Sequence, residues 1–171
     1  MDIWDKEKRS AVMAKIRSKD TKPELLVRHY LFHRGYRFRK NVKKLPGTPD
    51  IVLHKYKTVI FIHGCFWHGH EEDGHIPHTH SEYWQKKIDR NKQRDERNKE
   101  ALRKMGWNVI TIWECQLKPA VRNQTLLEME YWLNHTYLDK FKMKPTKPYT
   151  AIETSSSIAA ESAIEYKKIK T

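Results

Sequence analysis

The chain has 171 residues, of which 38% are hydrophobic and 11% aromatic, so it can build one folded domain with its own core. Its first residues do not read as a signal peptide, no apolar run approaches the ~20 residues of a membrane span, and its two cysteines do not suggest a disulfide framework, so we expect a cytoplasmic protein with no membrane partner. The net charge of +13 makes nucleic acid the first candidate partner, and a basic protein with merely solvated lysine faces is the alternative.

The first predicted elements are two helices and a strand. Residues 6–18 read as a short basic helix, which could lie along a phosphate backbone or simply pack on the domain. Residues 21–34 form the second helix, where Thr21 and Glu24 make a capping box. A catalytic role for Glu24 therefore competes with a complete structural explanation. Alternation over 36–42 predicts a strand with one basic face.

The remaining elements alternate strands with helices, which indicates a mixed α/β layer fold. They are predicted as strands at 51–53 and 58–62, a helix from about 82 to 105, a strand at 107–113 and a helix at 120–138. We expect residues 1–139 to form one domain and the low-complexity residues 140–171 to form a flexible tail.

Two reactive side chains stand at the ends of neighbouring predicted strands. Asp50 follows a turn, where a carboxylate either holds a hard cation such as Mg²⁺ or caps its own backbone. His63 ends the next strand, and imidazole is a suitable general base near neutral pH. If the strands are adjacent, both groups share one edge of the sheet, which favours catalysis.

The long predicted helix carries a stripe that is apolar at both ends and polar in the middle, at Asn91, Asp95 and Asn98. Buried polar groups need partners, so these residues face a polar network or a ligand unless the helix turns outward there. We therefore hold Asp95 as a candidate functional residue.

Soft metal ligands lie in two separate parts of the chain. Cys65 and His70 occupy the loop after the central strand, and Cys115 follows the strand at 107–113. Thiolates with imidazole select Zn²⁺, and a closed site with four ligands would be structural, whereas two buried free thiols are the alternative. The fourth ligand that we choose is His75, which completes a Cys₂His₂ set, and the alternatives are Asp73 and Glu72.

Three aromatic residues accompany these groups, namely Phe66, Trp67 and Trp84. An aromatic pair in a polar loop is an unusual core element. On a basic protein such side chains can insert between base steps of DNA, and the alternative is that they cover the metal loop.

Four stretches of the chain resemble the very-short-patch repair (Vsr) endonucleases, bacterial enzymes that nick DNA at T·G mismatches left by deamination of 5-methylcytosine. They are LPGTPD (45–50), FIHGCFWHGH (61–70), EYWQKKIDRNKQRD (82–95) and GWNVITIWEC (106–115). The resemblance runs from about residue 8 to 135. It implies a fold similar to the type II restriction endonuclease core, with the order helix, three strands, helix, strand.

The resemblance also implies an active site. Asp50 would bind the catalytic Mg²⁺, aided by the backbone carbonyl of Ile62. His63 and His68 would be the active-site imidazoles, one activating water and one stabilising the phosphate or the leaving group. Asp95 would orient a histidine. The family's acidic residue near the site matches Glu24.

The remaining family residues contact DNA or zinc. The resemblance implies that Phe66, Trp67 and Trp84 enter the DNA from the major-groove side. Met13 and the basic N-terminal helix would form an arm that enters from the minor-groove side. Lys87 and Asn91 would contact the mismatched pair. Three of four structural zinc ligands match Cys65, His70 and Cys115. The family commonly has a cysteine shortly after the histidine equivalent to His70, and the run 71–75 has none.

We therefore expect a Mg²⁺-dependent endonuclease with a structural Zn²⁺ that nicks one strand 5′ of the mismatched T. Its expected partner is double-stranded DNA with a T·G mismatch, and repair-pathway proteins are further candidates. We expect a monomer in the bacterial cytoplasm, associated with the nucleoid. The alternatives are a zinc-containing DNA-binding module without catalysis and a nuclease of the same fold without mismatch preference.

Overall fold

We describe the protein from a computed structural model, which covers residues 5–14, 19–78 and 80–142. The helices and strands in chain order are α1 (Lys6–Ala14), α2 (Lys22–His33), β1 (Arg39–Lys40), β2 (Ile51–Leu53), β3 (Thr58–His63), α3 (Ser81–Lys104), β4 (Asn108–Trp113), a 3-10 helix (Glu114–Leu117) and α4 (Arg122–Lys142). In these ranges no helix is long and apolar enough to cross a membrane. The predicted tail lies outside the described residues from 143 onward and stays a prediction.

The four strands form one mixed sheet in the order β1-β2-β3-β4, which confirms the predicted α/β fold. Strand β3 is antiparallel to β2 and parallel to β4. Because β2 and β3 run in opposite directions, the start of β2 and the end of β3 meet at the same edge of the sheet. Asp50 precedes β2 and His63 ends β3, so the topology brings both to that edge.

Helices cover both faces of the sheet. Strand β3 is buried along almost its whole length, as a central strand covered on both faces should be. On one face the core combines strand residues with side chains of α2 and α4, including Val27, Leu31, Ile60, Met129 and Leu133. On the other face α3 closes a second core made of Val52, Val59, Phe61, Leu102 and Trp107. Alternate residues of β3 pack into the two cores, because successive side chains of a strand point to opposite faces of the sheet.

The start of α2 follows the predicted capping box. The hydroxyl of Thr21 accepts from the Glu24 N–H, and the Glu24 side chain accepts from the Thr21 N–H, so exposed helix donors are satisfied from both sides. A proline stands in the first turn, where its missing N–H costs nothing. This cap fixes the entry of α2 beside the sheet edge that carries Asp50.

The strand predicted at 36–42 is wrong for most of its length, because only Arg39 and Lys40 pair with β2. Strand β2 has three residues, so it offers a partner for a short ladder only. Asn41 then takes a left-handed backbone conformation (φ 49°), which ends the strand. Tyr36 is buried in the core instead.

Candidate active site

Asp50 is a partly buried carboxylate at the sheet edge. Its Oδ2 accepts a hydrogen bond of 2.8 Å from the backbone N–H of Ile62, so the side chain continues the ladder between β2 and β3. Burial raises the pKa of Asp50 to about 6, against the opposing effect of the Ile62 hydrogen bond. A buried carboxylate whose charge is incompletely balanced is a suitable oxygen ligand for a hard cation. The donor chemistry therefore fits Mg²⁺, and the Ile62 carbonyl as a second ligand stays a prediction.

The predicted imidazoles lie together beside this carboxylate. The rings of His63 and His68 stack with centroids 3.8 Å apart and planes 14° apart. His68 Nδ1 lies 2.5 Å from Asp95 Oδ2. Burial and the neighbouring His68 hold the pKa of His63 well below its ordinary value. His63 is therefore neutral at neutral pH and has a free lone pair, while His68 is paired with a carboxylate.

The ligand atoms of His63, His68 and Asp95 lie within 4.8 Å of one another, close enough for a metal ion. In two parallel stacked rings, however, the in-plane lone pairs run side by side and do not converge on one point. Burial alone would raise the pKa of Asp95, but its hydrogen bond to His68 lowers that pKa overall. The arrangement favours a hydrogen-bonded pair of His68 and Asp95 beside a neutral His63 over a metal site.

These groups open into one cleft between the start of α2, the turn at 41–50, the end of β3 and the middle of α3. Gly47 lets the turn approach α3 closely, because a Cβ there would lie 3.0 Å from Asn98 Nδ2 and its φ is 73°. Positive side chains also line the cleft, contributed by Lys19, Lys43, Arg94 and Lys99. Cations beside acidic and imidazole groups in one cleft suit a phosphate backbone together with a bound cation.

Glu24 lines the same cleft but is largely occupied by structural donors. Its carboxylate accepts from the Thr21 hydroxyl (2.9 Å), the Asp20 N–H (3.1 Å) and Arg28 Nη2 (2.8 Å). Its capping role is thus directly visible in the structure. Its catalytic role stays a prediction.

The three predicted wedge aromatics form one cluster at the end of the cleft that holds Trp67. The Phe66 ring makes edge contacts with Trp67 (4.9 Å between centroids) and Trp84 (5.1 Å). Lys87 Nζ lies over the Trp84 ring at 5.2 Å and over the Trp67 ring at 5.5 Å. The cluster is partly exposed, so its rings can be presented to a ligand.

Asn91 is committed to this cluster, because its Nδ2 donates to the Trp67 carbonyl oxygen at 2.9 Å. In the structure it therefore positions the aromatic loop, and contact with a base pair stays a prediction. Met13 lies in α1, but its side chain is outside the described part of the structure.

The soft ligands form a second group behind the imidazoles. Ligand atoms of Cys65, His70, Asp73 and Cys115 lie within 4.8 Å of one another. Cys115 Sγ lies 3.6 Å from His70 Nδ1. Burial and the neighbouring Cys65 and Asp73 raise the pKa of Cys115. This crowding of potential anions, two of them thiolates, fits a borderline-soft cation such as Zn²⁺.

The structure brings Asp73, and not the predicted His75, into this group. The reason is a tight turn in which the Gly74 N–H donates to the His70 carbonyl at 2.8 Å. A Cβ at Gly74 would lie 2.2 Å from that same oxygen, so glycine is required there. The turn folds Asp73 back over Cys65, and the chain then leads away, which leaves His75 exposed.

Trp113 joins the two groups and was missed by the sequence analysis. Its ring packs edge-on to His63 at 5.3 Å and stacks on His70 at 4.3 Å. The soft-ligand loop thus supports one wall of the imidazole pair. The only signal in the sequence is that Trp113 ends a strand two residues before Cys115.

A carboxylate and paired imidazoles at the edge of a mixed sheet, in a cleft lined by both cationic and acidic side chains and bordered by aromatic rings, define a DNA endonuclease with a restriction-endonuclease-like fold. Known proteins give the family. A family model described as DNA mismatch endonuclease Vsr matches residues 1–73. The DNA mismatch endonuclease Vsr of Escherichia coli K12 is 39% identical over 136 residues, which cover 77% of this chain and 87% of that protein. The chain belongs to the Vsr family.

Other relatives are named as nicking enzymes. The type II nicking enzyme V.NmeAIP of Neisseria meningitidis serogroup A is 57% identical over 118 residues, covering 68% of this chain and 84% of the relative. The type II nicking enzyme V.XorIIP of Xanthomonas oryzae pv. oryzae is 48% identical over 117 residues, covering 68% of this chain and 86% of the relative. The protein is accordingly a phosphodiester hydrolase that acts on DNA.

Proposed function

We propose that this endonuclease nicks one DNA strand on the 5′ side of the mismatched T in T·G pairs and requires Mg²⁺ at Asp50. The observation that carries the proposal is that Asp50 and the stacked pair of His63 and His68 face one cleft, and that the aromatic cluster borders it. The name of the relative from Escherichia coli includes mismatch endonuclease activity, which supports recognition of a mismatch here.

The proposed chemistry assigns a separate role to each side chain. Mg²⁺ bound at Asp50 would neutralise phosphate charge and acidify its bound water. His63, neutral because its pKa is low, accepts a proton from the attacking water at a ring nitrogen. His68, held by Asp95, donates a hydrogen bond or a proton to the oxygen that leaves phosphorus. Two imidazoles in different environments can thus take opposite parts in one hydrolysis.

The aromatic cluster supports selectivity for a mismatch. Inserting Phe66, Trp67 and Trp84 between base steps costs unstacking energy, and a mismatched step costs less to open than a paired one. Stacking of the exposed bases on the aromatic rings then offsets part of that cost.

Nicking of three duplexes tests the proposal directly. One carries a single T·G mismatch, and its controls carry T·A and C·G at that position. We expect Mg²⁺-dependent nicking of the mismatched duplex alone, on the T strand. Equal cutting of all three would leave a nuclease without the repair specificity, and tight binding without cutting would favour a DNA-binding module.

Trp67→Ala is expected to lower T·G nicking by about ten- to a hundredfold, because stacking on one base is worth about 1–3 kcal/mol. Nicking rates on the mismatched and matched duplexes give the measurement. The matched control is Trp132→Ala, since Trp132 is 61% exposed on α4 and outside the cluster. T·G nicking by Trp67→Ala at the wild-type rate would remove the aromatic wedge from the mechanism.

We further propose that the soft-ligand group holds a structural Zn²⁺ through Cys65, His70, Asp73 and Cys115. Lys118 Nζ lies 3.2 Å from Asp73 Oδ2, and this hydrogen bond lowers the pKa of Asp73, so the carboxylate is ionised and ready to bind a cation. A bound ion would hold the loop after β3 against the start of the 3-10 helix, and with it the wall formed by Trp113.

Asp73→Ala is expected to weaken zinc binding roughly tenfold or more, because one ligand of a four-ligand site is lost. His75→Ala is the matched control and should leave zinc affinity unchanged. Competition with a chromogenic chelator measures both variants. Asp73→Cys should bind zinc more tightly than wild type, since a thiolate is the softer ligand. If His75→Ala loses zinc and Asp73→Ala does not, the fourth ligand is His75 and not Asp73.

We propose that the protein acts as a monomer. We place the protein at the nucleoid in the bacterial cytoplasm, where T·G mismatches arise, with repair-pathway proteins as candidate partners.

A further inference from the structure

Arg28 is a buried cation on α2 that the roles given above do not use. Its side chain is 6% exposed. Nη1 pairs with the Asp20 carboxylate, and Nη2 lies 2.8 Å from Glu24 Oε2. Glu24 and Arg28 are also one helical turn apart, so both are held on the same face of α2.

The same Nη2 reaches across to the sheet edge, 3.3 Å from the backbone carbonyl oxygen of Asp50. The carbonyl oxygen of Asp50 also accepts from the Asn41 N–H at 3.4 Å, and its carboxylate accepts from Ile62. Asp50 is thus held from three directions, and among the residues that the structure describes only Arg28 links it to a helix. Asp20, which precedes α2, and Glu24, in its first turn, in turn hold the Arg28 guanidinium.

Stability alone does not explain this network. Arg28 Nε is buried and has no hydrogen-bond partner within the described residues. A buried ion network with an unsatisfied donor is a weak stabiliser, and apolar residues of similar volume often serve the fold as well or better. Because Arg28 donates directly to the Asp50 carbonyl oxygen, the network can instead hold Asp50 in place.

We propose that Arg28 is a positioning residue for Asp50, tying its backbone to the capped start of α2 so that the carboxylate keeps its place beside Ile62. The inference rests on the proposed function, in which Asp50 is the acidic residue of the active site. Arg28 itself is buried and acts only through Asp50 and Glu24.

Arg28→Met tests the proposal by removing the guanidinium while keeping much of the apolar stem. Hydrogen exchange of the Ile62 amide is measured by NMR without metal or DNA, because that N–H donates to the Asp50 carboxylate. We expect exchange at Ile62 to become about tenfold faster, as for loss of one well-placed hydrogen bond, with Ile60 in the middle of β3 unchanged. On T·G DNA, kcat should fall about tenfold or more at unchanged KM, since buried Arg28 does not reach DNA.

Arg34→Met is the matched control, because Arg34 caps the other end of α2 and pairs with Glu130 at 3.4 Å. It should leave Ile62 exchange and kcat unchanged. Wild-type exchange at Ile62 in folded Arg28→Met overturns the proposal. If Arg28→Met does not fold, Glu24→Gln is the second variant that tests the proposal. Glutamine still forms a capping box, but it removes the negative charge that holds Arg28. This variant should raise Ile62 exchange, and an unchanged rate refutes the role.

The exchange measurement also separates this inference from the proposed function. Hydrogen exchange at Ile62 can be measured without any nicking activity. If wild type does not nick T·G DNA, the proposed function is refuted, and the exchange rate at Ile62 still tests the role of Arg28.

Discussion

Asp50→Asn is expected to reduce T·G nicking by roughly a thousandfold or more while making the folded protein more stable. The loss follows because the proposed metal-ion catalysis supplies several kcal/mol, and each 1.4 kcal/mol is a factor of ten in rate. Rates at saturating Mg²⁺ and DNA measure it. DNA affinity should stay the same or improve, since a negative charge leaves a cleft that binds phosphates.

The gain in stability follows from the raised pKa. Burial raises the pKa of Asp50 from 3.8 to about 6, so the folded protein binds a proton more readily than the unfolded chain. That contribution to stability is present below pH 3.8 and is lost as the pH rises through about 6. At pH 8 the free energy of unfolding of Asp50→Asn should therefore exceed that of wild type by about 3 kcal/mol.

Urea unfolding at pH 5 and pH 8 checks this stability change, with Asp89→Asn as the control because Asp89 is exposed on α3. A large loss of stability in Asp50→Asn would mean that Asp50 serves the fold. Retained nicking in a folded variant would exclude it as the essential carboxylate.

His63→Ala is expected to lower kcat by about a hundred- to ten-thousandfold, the usual contribution of a positioned general base. Asp95→Asn should cost less, roughly ten- to a hundredfold, because it acts through His68. Single-turnover nicking of T·G DNA at saturating enzyme separates these effects from DNA binding.

The two imidazoles should also respond differently to a second substitution. Since Asp95 acts by holding His68, adding Asp95→Asn to His68→Ala should cost little more, whereas adding it to His63→Ala should cost its full factor. His54→Ala is the control, because His54 is exposed in the turn after β2. A loss of activity in His54→Ala equal to that in His63→Ala would show a general effect of removing histidine.

Local patterns in the sequence were sufficient for the frame of the site. The capping box of α2, the apolar strands at 51–53 and 58–62 and the polar stripe of α3 each depend on neighbouring residues, so propensity and periodicity predict them. The edge shared by Asp50 and His63 was predicted on the condition that the two strands are adjacent, and the antiparallel pairing of β2 with β3 meets that condition. The strand at 36–42 was overextended because its length depends on a partner, and β2 offers only three residues.

The sequence by itself determined the fold class and the family, and it singled out several residues that line the cleft, because these follow from local pattern and motif. Only the tertiary structure decided which side chains meet. It placed Asp73 and not His75 beside Cys115, since a tight turn at Gly74 sets the direction of the loop. It also set Trp113 between His63 and His70, and Arg28 against Asp50. Such contacts join residues far apart in the chain, and their geometry depends on how the strands and helices pack.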